Sequence, residues 1–525
     1  MVKNGYEIVL TAERCLMSDY HGALFLGFCA CAPKNLWHPF LFFRFICPSG
    51  PVKRNGEAIL APYGLRKIEA ALLDYGFSRD QVIVVHPEKL KKVVGPNTKI
   101  IGISSNDPLG KGPASTTFAG ETGLVNEESY IAWKFRELVT NPYLKKWGAK
   151  IVVGGPGAWQ LVPEEPRRKL GIDVVVVGEG EKVVPPLFEK ILNGESVPEV
   201  VEGEVVDASE MPIIRGGTVG GIVEVARGCG RGCKFCIPTL AKLRSRPIDD
   251  ILKEVDVNVS VGQTHITFHA EDILRYGARG LDMDPDAVLR LFDAVSGHEG
   301  VTGVGFSHFA LASVAYQPDL VRGITEILES REKLGPSPWI GSQTGIETGS
   351  PRLIDKHMRG KVKPFKPEEW PDVVEKAFAI CEENKWIPCA TLIMGLPGET
   401  SDDVIKTIEL LERLKDYKSL VVPLFFVPLG ALKNEKAFTV FDLRDEHWEL
   451  LRMCWKYDMK WLRELATEYL RKVSWLSRNF ILRFVKWIIG WVDKRFDQML
   501  EEKREEIRER KKEKTGHILE AEAVS

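Results

Sequence analysis

The chain has 525 residues, 44% of them hydrophobic and 27% charged, with a formal net charge of −2; this is too long for one compact core and fits about three domains at roughly 100–200 residues each. The near-neutral balance gives no electrostatic case for nucleic acid as a partner. No stretch reaches the roughly 18 uncharged apolar residues that a spanning helix needs, the opening "MVKNGYEIVLTAERC" lacks the apolar core of a cleaved signal peptide, and ten unevenly spaced cysteines point to a reducing cytoplasm rather than a disulfide framework.

Residues 1–205 alternate β-branched runs, "EIVLTA", "QVIVVHP", "TKIIGISS", "AKIVVGG" and "IDVVVVGEGE", with helix-period segments such as "GLRKIEAALLDYG" and "ESYIAWKFRELV". Continuous Val/Ile strands between amphipathic helices predict a parallel sheet covered on both faces, a Rossmann-like α/β domain. Ligands of such sheets sit beyond the carboxyl ends of the strands. The candidate binding residues are therefore Asp107 in "SSNDPLG", Gly154 and Gly155 in "GGPGAWQ", and Gly178 and Glu179 in "GEGE". Glycine there lets backbone approach a ligand closely; tight turns alone also account for it. Cys15, Cys29, Cys31 and Cys47 form a loose group, read either as small buried residues or as a second metal site.

Residues 206–430 start with an aperiodic linker and then read as six strand–helix repeats, from "GIVEVARG" to "LVVPLFFVP". That pattern predicts an incomplete (β/α)6 barrel with its chemistry at the strand carboxyl ends. Residues 431–525 read as a helical domain. In it Trp475, Phe480, Phe484, Trp487, Ile488 and Trp491 recur at helical spacing among basic residues within Arg471–Phe496. Such a helix either lies in a membrane interface or packs on its own protein. The closing "EEKREEIRERKKEK" reads as a solvated helix or frayed tail.

The chemistry concentrates after the first barrel strand, in "EVARGCGRGCKFCIP", where Cys229, Cys233 and Cys236 fall within eight residues. Structural zinc takes four ligands, usually as two pairs; Cys381 and Cys389 are too far apart to supply the second pair, and Cys454 stands alone. Three thiolates suit a [4Fe–4S] cluster with one iron left open. A zinc-binding interaction protein and a non-catalytic iron–sulfur electron carrier stay open as alternatives from the spacing alone.

CxxxCxxC with Phe235 before its last cysteine resembles the signature of the radical SAM enzymes. "HAED" (His269 to Asp272), "GIETGS" (Gly345 to Ser350) and "GLPGET" (Gly395 to Thr400) resemble later motifs of that family in the same order. The resemblance implies that the cysteines bind the cluster and that Glu271, Gln343, Glu347 and Gly395 face S-adenosylmethionine. It also implies a one-electron cleavage of that molecule to a 5′-deoxyadenosyl radical. Gln343 and Glu347 have even spacing on one strand, which predicts that both side chains point into the barrel. His269 and His308, at strand ends, read either as substrate-facing or as hydrogen-bonded core residues.

An N-terminal Rossmann-like domain ending in "GGPGAW" and "VVVVGEGE" resembles the cobalamin-binding domain of the cobalamin-dependent branch. Asp107-Pro108-Leu109-Gly110 lacks the histidine of DxHxxG, so the resemblance does not supply an axial ligand. "LTAERCLMSDYHGALFLGF" is similar to archaeal members. The resemblance implies a C-methyltransferase acting on an unactivated carbon, of which a glutamine of methyl-coenzyme M reductase is one family example. C–C bond or ring formation in archaeal tetraether lipids is the alternative. Further expectations are an external electron donor such as ferredoxin or flavodoxin, a protein or lipid substrate, and a cytoplasmic protein with peripheral membrane contact in the lipid case.

Overall fold

The computed structural model describes residues 4–238, 241–335, 337–469, 483, 486, 490 and 492–510. The aromatic residues singled out between Trp475 and Trp491 lie outside the described residues. The chain divides into two compact units, one of Met1–Gly230, Cys236–His308 and Arg322–Gly335, the other of Arg231–Phe235, Phe309–Val321 and Pro336–Ser525.

The first unit contains a six-stranded sheet of β1 (Ile8–Ala12), β2 (Val82–Val84), β3 (Ile100–Ser104), β4 (Lys150–Gly154), β5 (Val174–Val177) and β6 (Val200–Glu202). All pairings are parallel, in the order β2-β1-β3-β4-β5-β6. Alternation assigns each strand residue to a face. Ile8, Leu10, Val82, Val84, Val174 and Val176 pack with Leu65 and Leu72 of α1 (Tyr63–Tyr75) and with Leu187 and Phe188. Val9, Ile83, Ile101, Ile103, Val153 and Val175 pack with Phe135 and Leu138 of α2 (Tyr130–Val139). Both faces are covered, which is why these strands are continuously apolar. The strand order reverses between β1 and β3, so their carboxyl ends flank the crevice where ligands of doubly wound sheets bind.

The same unit continues with β7 (Ile222–Glu224), helix α3 (Ile248–Ser260), β8 (His265–His269) and β9 (Gly303–Phe306), paired in parallel as β9-β8-β7. A buried ion cluster ties this part to α1. Glu254 of α3 accepts from Lys67 at 2.6 Å, from Tyr63 at 2.8 Å, and from Arg246 at 2.9 and 3.0 Å. Lys67, Arg246 and Glu254 are almost wholly buried.

The second unit carries β10 (Ile340–Glu347), β11 (Trp386–Met394) and β12 (Leu420–Phe425), again all parallel, with α4 (Pro351–Val362) following β10. The six expected strands thus hydrogen-bond as two sets of three. Part of the reason lies at β9, where the Val304 N–H donates to the Lys333 carbonyl at 2.9 Å, so a non-strand segment occupies that edge. The helical C-terminal region begins with α5 (Asp445–Tyr469). Residues 492–510 are also helical; of the closing charged run, 501–510 form a largely exposed helix that still packs by one side. Phe496 stacks on Trp455 at 3.8 Å, Lys456 pairs with Asp493 and Asp497, Asp445 pairs with Arg504 and Arg508, and Leu500 and Ile507 are buried. This order of partners runs the two helices antiparallel. Among the described residues no helix is long and apolar enough to cross a membrane.

Candidate functional site

At the carboxyl ends of β3 and β4 the backbone is tightly knit. Asp107 is buried, and its Oδ1 accepts from the Gly112 N–H at 2.8 Å and from Gln160 Nε2 at 2.7 Å. Gln160 in turn accepts from the Leu109 N–H at 2.9 Å. Asp107 therefore organises its own loop. Gly155 has φ +95°, and a Cβ there would lie 2.7 Å from the Ser105 carbonyl oxygen; at Gly157 it would lie 2.3 Å from that of Asn106. The two turns interlock, so Gly155 is required by packing whether or not a ligand approaches. Gly154 ends β4 with room beside it, since a Cβ there would come no closer than 3.6 Å to any neighbouring atom.

After β1, Glu13 is fully buried and accepts from the backbone N–H groups of Cys15 and Leu16 at 2.6 and 3.0 Å. Burial pushes its carboxyl up to about 8, against those hydrogen bonds and with added repulsion from Cys47. Cys15 and Cys47 are buried within hydrogen-bonding reach of each other, whereas Cys29 and Cys31 are partly exposed. Among the described residues no three Cys, His, Asp or Glu side chains form a ready-made metal-ligand set.

After β5, Gly178 has φ +95°, and a Cβ there would meet the Gly203 backbone at an ordinary contact distance of 3.7 Å. Glu179 accepts from Arg227 Nη1 at 2.9 Å, from Arg244 Nη2 at 2.6 Å and from the Val206 N–H at 3.0 Å. Burial would raise its pKa, but these partners hold it below the usual glutamate range. Arg227 also binds Glu224 and Glu181. Two residues on, the cysteine loop begins: the Cys229 N–H donates to the Ala241 carbonyl at 3.2 Å, and the Cys229 carbonyl accepts from Arg275 at 2.9 Å. Cys229 and Cys236 are partly exposed and Cys233 is buried.

Also in the first unit, His269 Nδ1 and His308 Nδ1 lie 3.1 and 2.9 Å from Ser307 Oγ. Burial pushes the Glu271 carboxyl above its ordinary value, with His269 opposing the rise and Glu224 adding to it.

In the second unit the middle of the cysteine loop seats on the end of α4. Arg231 Nη1 donates to the carbonyls of Gly360 and Lys361 at 3.3 and 3.1 Å, and the Lys234 N–H donates to the His357 carbonyl at 2.9 Å. A Cβ at Gly360 would lie 1.7 Å from the Arg231 carbonyl oxygen. Lys361 Nζ donates to Glu347 Oε1 at 2.9 Å, and Thr391 Oγ1 donates to Oε2 at 3.3 Å. Burial would lower the Lys361 pKa, yet Glu347 and Cys233 hold it above the ordinary lysine value.

Even spacing does not carry through from Gln343 to Glu347. Gln343 pairs with Cys389 and Gly345 with Thr391, but Glu347 pairs with Leu392, so a bulge intervenes. Glu347 takes φ +66° and is buried beside buried Ile346. The extra residue breaks the alternation on which the shared direction rested. Gly395 has φ +84° and a Cβ there would lie 2.0 Å from the Phe438 ring; its N–H donates to both oxygens of Glu399 at 3.1 Å. Lys361, Arg227 and Arg244 carry no motif signal, so sequence reasoning passed over them.

Cys229, Cys233 and Cys236 share one stretch of chain, and thiols are the donors an iron–sulfur cluster takes. The chain is 27% identical over 270 residues to the tRNA-2-methylthio-N(6)-dimethylallyladenosine synthase of Thermotoga petrophila, over 50% of this chain and 56% of that protein. It is 25% identical over 297 residues to the enzyme of the same name from Syntrophomonas wolfei, over 55% and 61%. The chain thus spans little more than half the length of these curated relatives. Among solved structures, the radical S-adenosylmethionine methyltransferase TsrM from Kitasatospora setae, with tryptophan substrate and a SAM analogue bound, shares the fold. Its TM-score is 0.51 at 15% identity, over 81% of this chain and 75% of that one. TsrM with cobalamin and a [4Fe–4S] cluster bound aligns at TM-score 0.50 and 15% identity, over 81% and 77%. Residues 223–411, which hold the cysteine loop and run from β7 through β11, match the radical SAM superfamily model.

Proposed function

We propose that the protein is a cobalamin-dependent radical SAM C-methyltransferase of archaeal type, acting on an unactivated carbon of a protein or lipid. One observation carries this reading: a single chain joins a doubly wound parallel sheet, with its switch point between β1 and β3, to a CxxxCxxC loop after β7. The likeness to TsrM across 81% of the chain supports it. When bound, a reduced [4Fe–4S] cluster with S-adenosylmethionine supplies one-electron hydrogen abstraction, and cobalamin supplies the methyl group. Cys229, Cys233 and Cys236 would hold the cluster, and an external donor such as ferredoxin or flavodoxin would reduce it. Lys361 would hold Glu347 in position as an acceptor for a cationic group such as the S-adenosylmethionine amine. Glu271 would face S-adenosylmethionine from the loop after β8. The carboxyl ends of β1, β3, β4 and β5 would hold the corrinoid.

The experiment is anaerobic reconstitution with methyl-labelled S-adenosylmethionine, following label into cobalamin and 5′-deoxyadenosine release. Label in cobalamin with deoxyadenosine formed supports methyl transfer; neither product sinks the reading. A methylthiolation of RNA is favoured by the 27% identical relatives, and label appearing in added tRNA would select it. C–C bond formation in lipids is favoured by the exposed Phe25, Leu36, Phe40, Leu41 and Phe45. Deoxyadenosine formed with lipid extract but without label transfer would select that one.

A further inference from the structure

Arg227 and Arg244 are direct partners across a short antiparallel bridge, in the register Ala226↔Ser245 and Arg227↔Arg244. The sixteen residues between them form the loop that carries Cys229, Cys233 and Cys236. Two guanidinium groups directly opposed on paired strands repel each other, so this neck would be pushed open by its own side chains. The neck is otherwise narrow. Gly228 has φ +79°, and a Cβ on it would lie 2.3 Å from the Lys242 carbonyl oxygen.

Glu179 removes the repulsion. Its Oε2 accepts from Arg227 Nη1 at 2.9 Å and from Arg244 Nη1 at 3.0 Å, while Oε1 accepts from Arg244 Nη2 at 2.6 Å. Arg227 has two further carboxylates, Glu181 and Glu224. Among the described residues the ion pair of Arg244 is with Glu179. The three side chains are between 11% and 18% exposed, so solvent screens the repulsion poorly. Glu179 follows the end of β5, one residue beyond Gly178. A strand end of the N-terminal sheet is thereby joined to the base of the cysteine loop, all within the first unit.

We propose that Glu179 is a positioning residue for the cysteine loop: by bridging Arg227 and Arg244 it closes the loop's neck, and it links the ligand edge of the N-terminal sheet to the cluster cysteines. The link to a cluster rests on the function proposed above; the closing of the neck does not. Hydrogen–deuterium exchange on the full-length, cofactor-free protein separates the two. Backbone amides of residues 226–230 and 241–245 are compared in the parent, in Glu179→Gln, and in Glu179→Gln combined with Arg244→Gln. Loss of a charged hydrogen-bond set predicts about tenfold faster exchange in the single variant. The double variant, which restores the parent's net charge among these three side chains and leaves a single guanidinium at the neck, should return toward the parent. Unchanged exchange in Glu179→Gln overturns the proposal. So does a double variant that exchanges as fast as the single one, because the effect would then come from lost packing rather than opposed charge. After anaerobic reconstitution, iron loss to a chelator should follow the same order. A parent that takes up no iron would overturn the cluster reading and leave the exchange result to decide the neck.

Discussion

Lys361, at the end of α4, donates to the buried carboxylate of Glu347 at 2.9 Å, and Glu347 presents that carboxylate from a β-bulge at φ +66°. Two chemical needs meet here: a fixed acceptor, and a positive charge within reach of Cys233. Breaking a buried pair from one side leaves an uncompensated charge, which costs about 3–5 kcal/mol. Lys361→Met should therefore lower stability by about that amount, and Lys361→Arg should restore most of it. Urea unfolding of the three proteins measures this; equal midpoints for Lys361→Met and parent would refute the pairing.

Glu13 should make stability depend on pH. Its folded value is about 8, raised by burial from an ordinary value near 4.5, so the folded state holds the proton more tightly than the unfolded one. Its contribution is fully present below the ordinary carboxylate value and is lost as pH rises toward about 8, on the order of a few kcal/mol in all. Glu13→Gln should flatten the melting temperature between about pH 5 and 8. A pH profile identical to the parent's would count against this assignment.

Glu254 serves Lys67, Arg246 and Tyr63 at once inside the first unit. Glu254→Gln keeps the shape but leaves two buried cations without their counter-charge, at a cost of about 3–5 kcal/mol. The expected sign is a lower denaturation midpoint with an unchanged slope, since the exposed area on unfolding stays the same.

Two glycines beyond the N-terminal sheet should respond differently to alanine. At Gly155 both the φ of +95° and a contact of 2.7 Å with the Ser105 carbonyl oppose a Cβ, whereas at Gly178 only the φ does, since the nearest atom is 3.7 Å away. Gly178→Ala should cost about 1–2 kcal/mol and Gly155→Ala clearly more. Thermal melts give the ranking, and cobalamin uptake at a temperature where both variants are folded tells whether either glycine also meets the corrinoid.

Alanine at Cys229, Cys233 or Cys236 should abolish stable iron binding after anaerobic reconstitution, because in the proposed cluster each thiolate would hold one iron. Alanine at Cys381, buried in α-helical packing with its thiol pushed above the ordinary cysteine range, should leave iron content unchanged. Iron and sulfide analysis of the four variants is the measurement; full iron content in Cys233→Ala would remove that cysteine from the ligand set.

The doubly wound sheet, the later parallel strands and the helical C-terminal region were legible because burial follows local period: Ile8, Leu10 and Val9 divide between two faces by alternation alone. The cysteine loop was legible because its donors lie within eight residues of one another. The partners of those residues were not. A single inserted residue at the β10 bulge cancels the parity that related Gln343 to Glu347, and no periodic pattern announces a bulge. Glu179 meets Arg227 and Arg244 from 48 and 65 positions away, and Lys361 meets Glu347 only after α4 has folded back. Sequence by itself determined most of the strands and helices, the short edge strand Val200–Glu202 excepted, and which thiols lie close together along the chain. Tertiary packing alone decided which charges neutralise one another, because an ion pair depends on distance in space and screening by solvent, and neither is encoded in the spacing of residues along the chain.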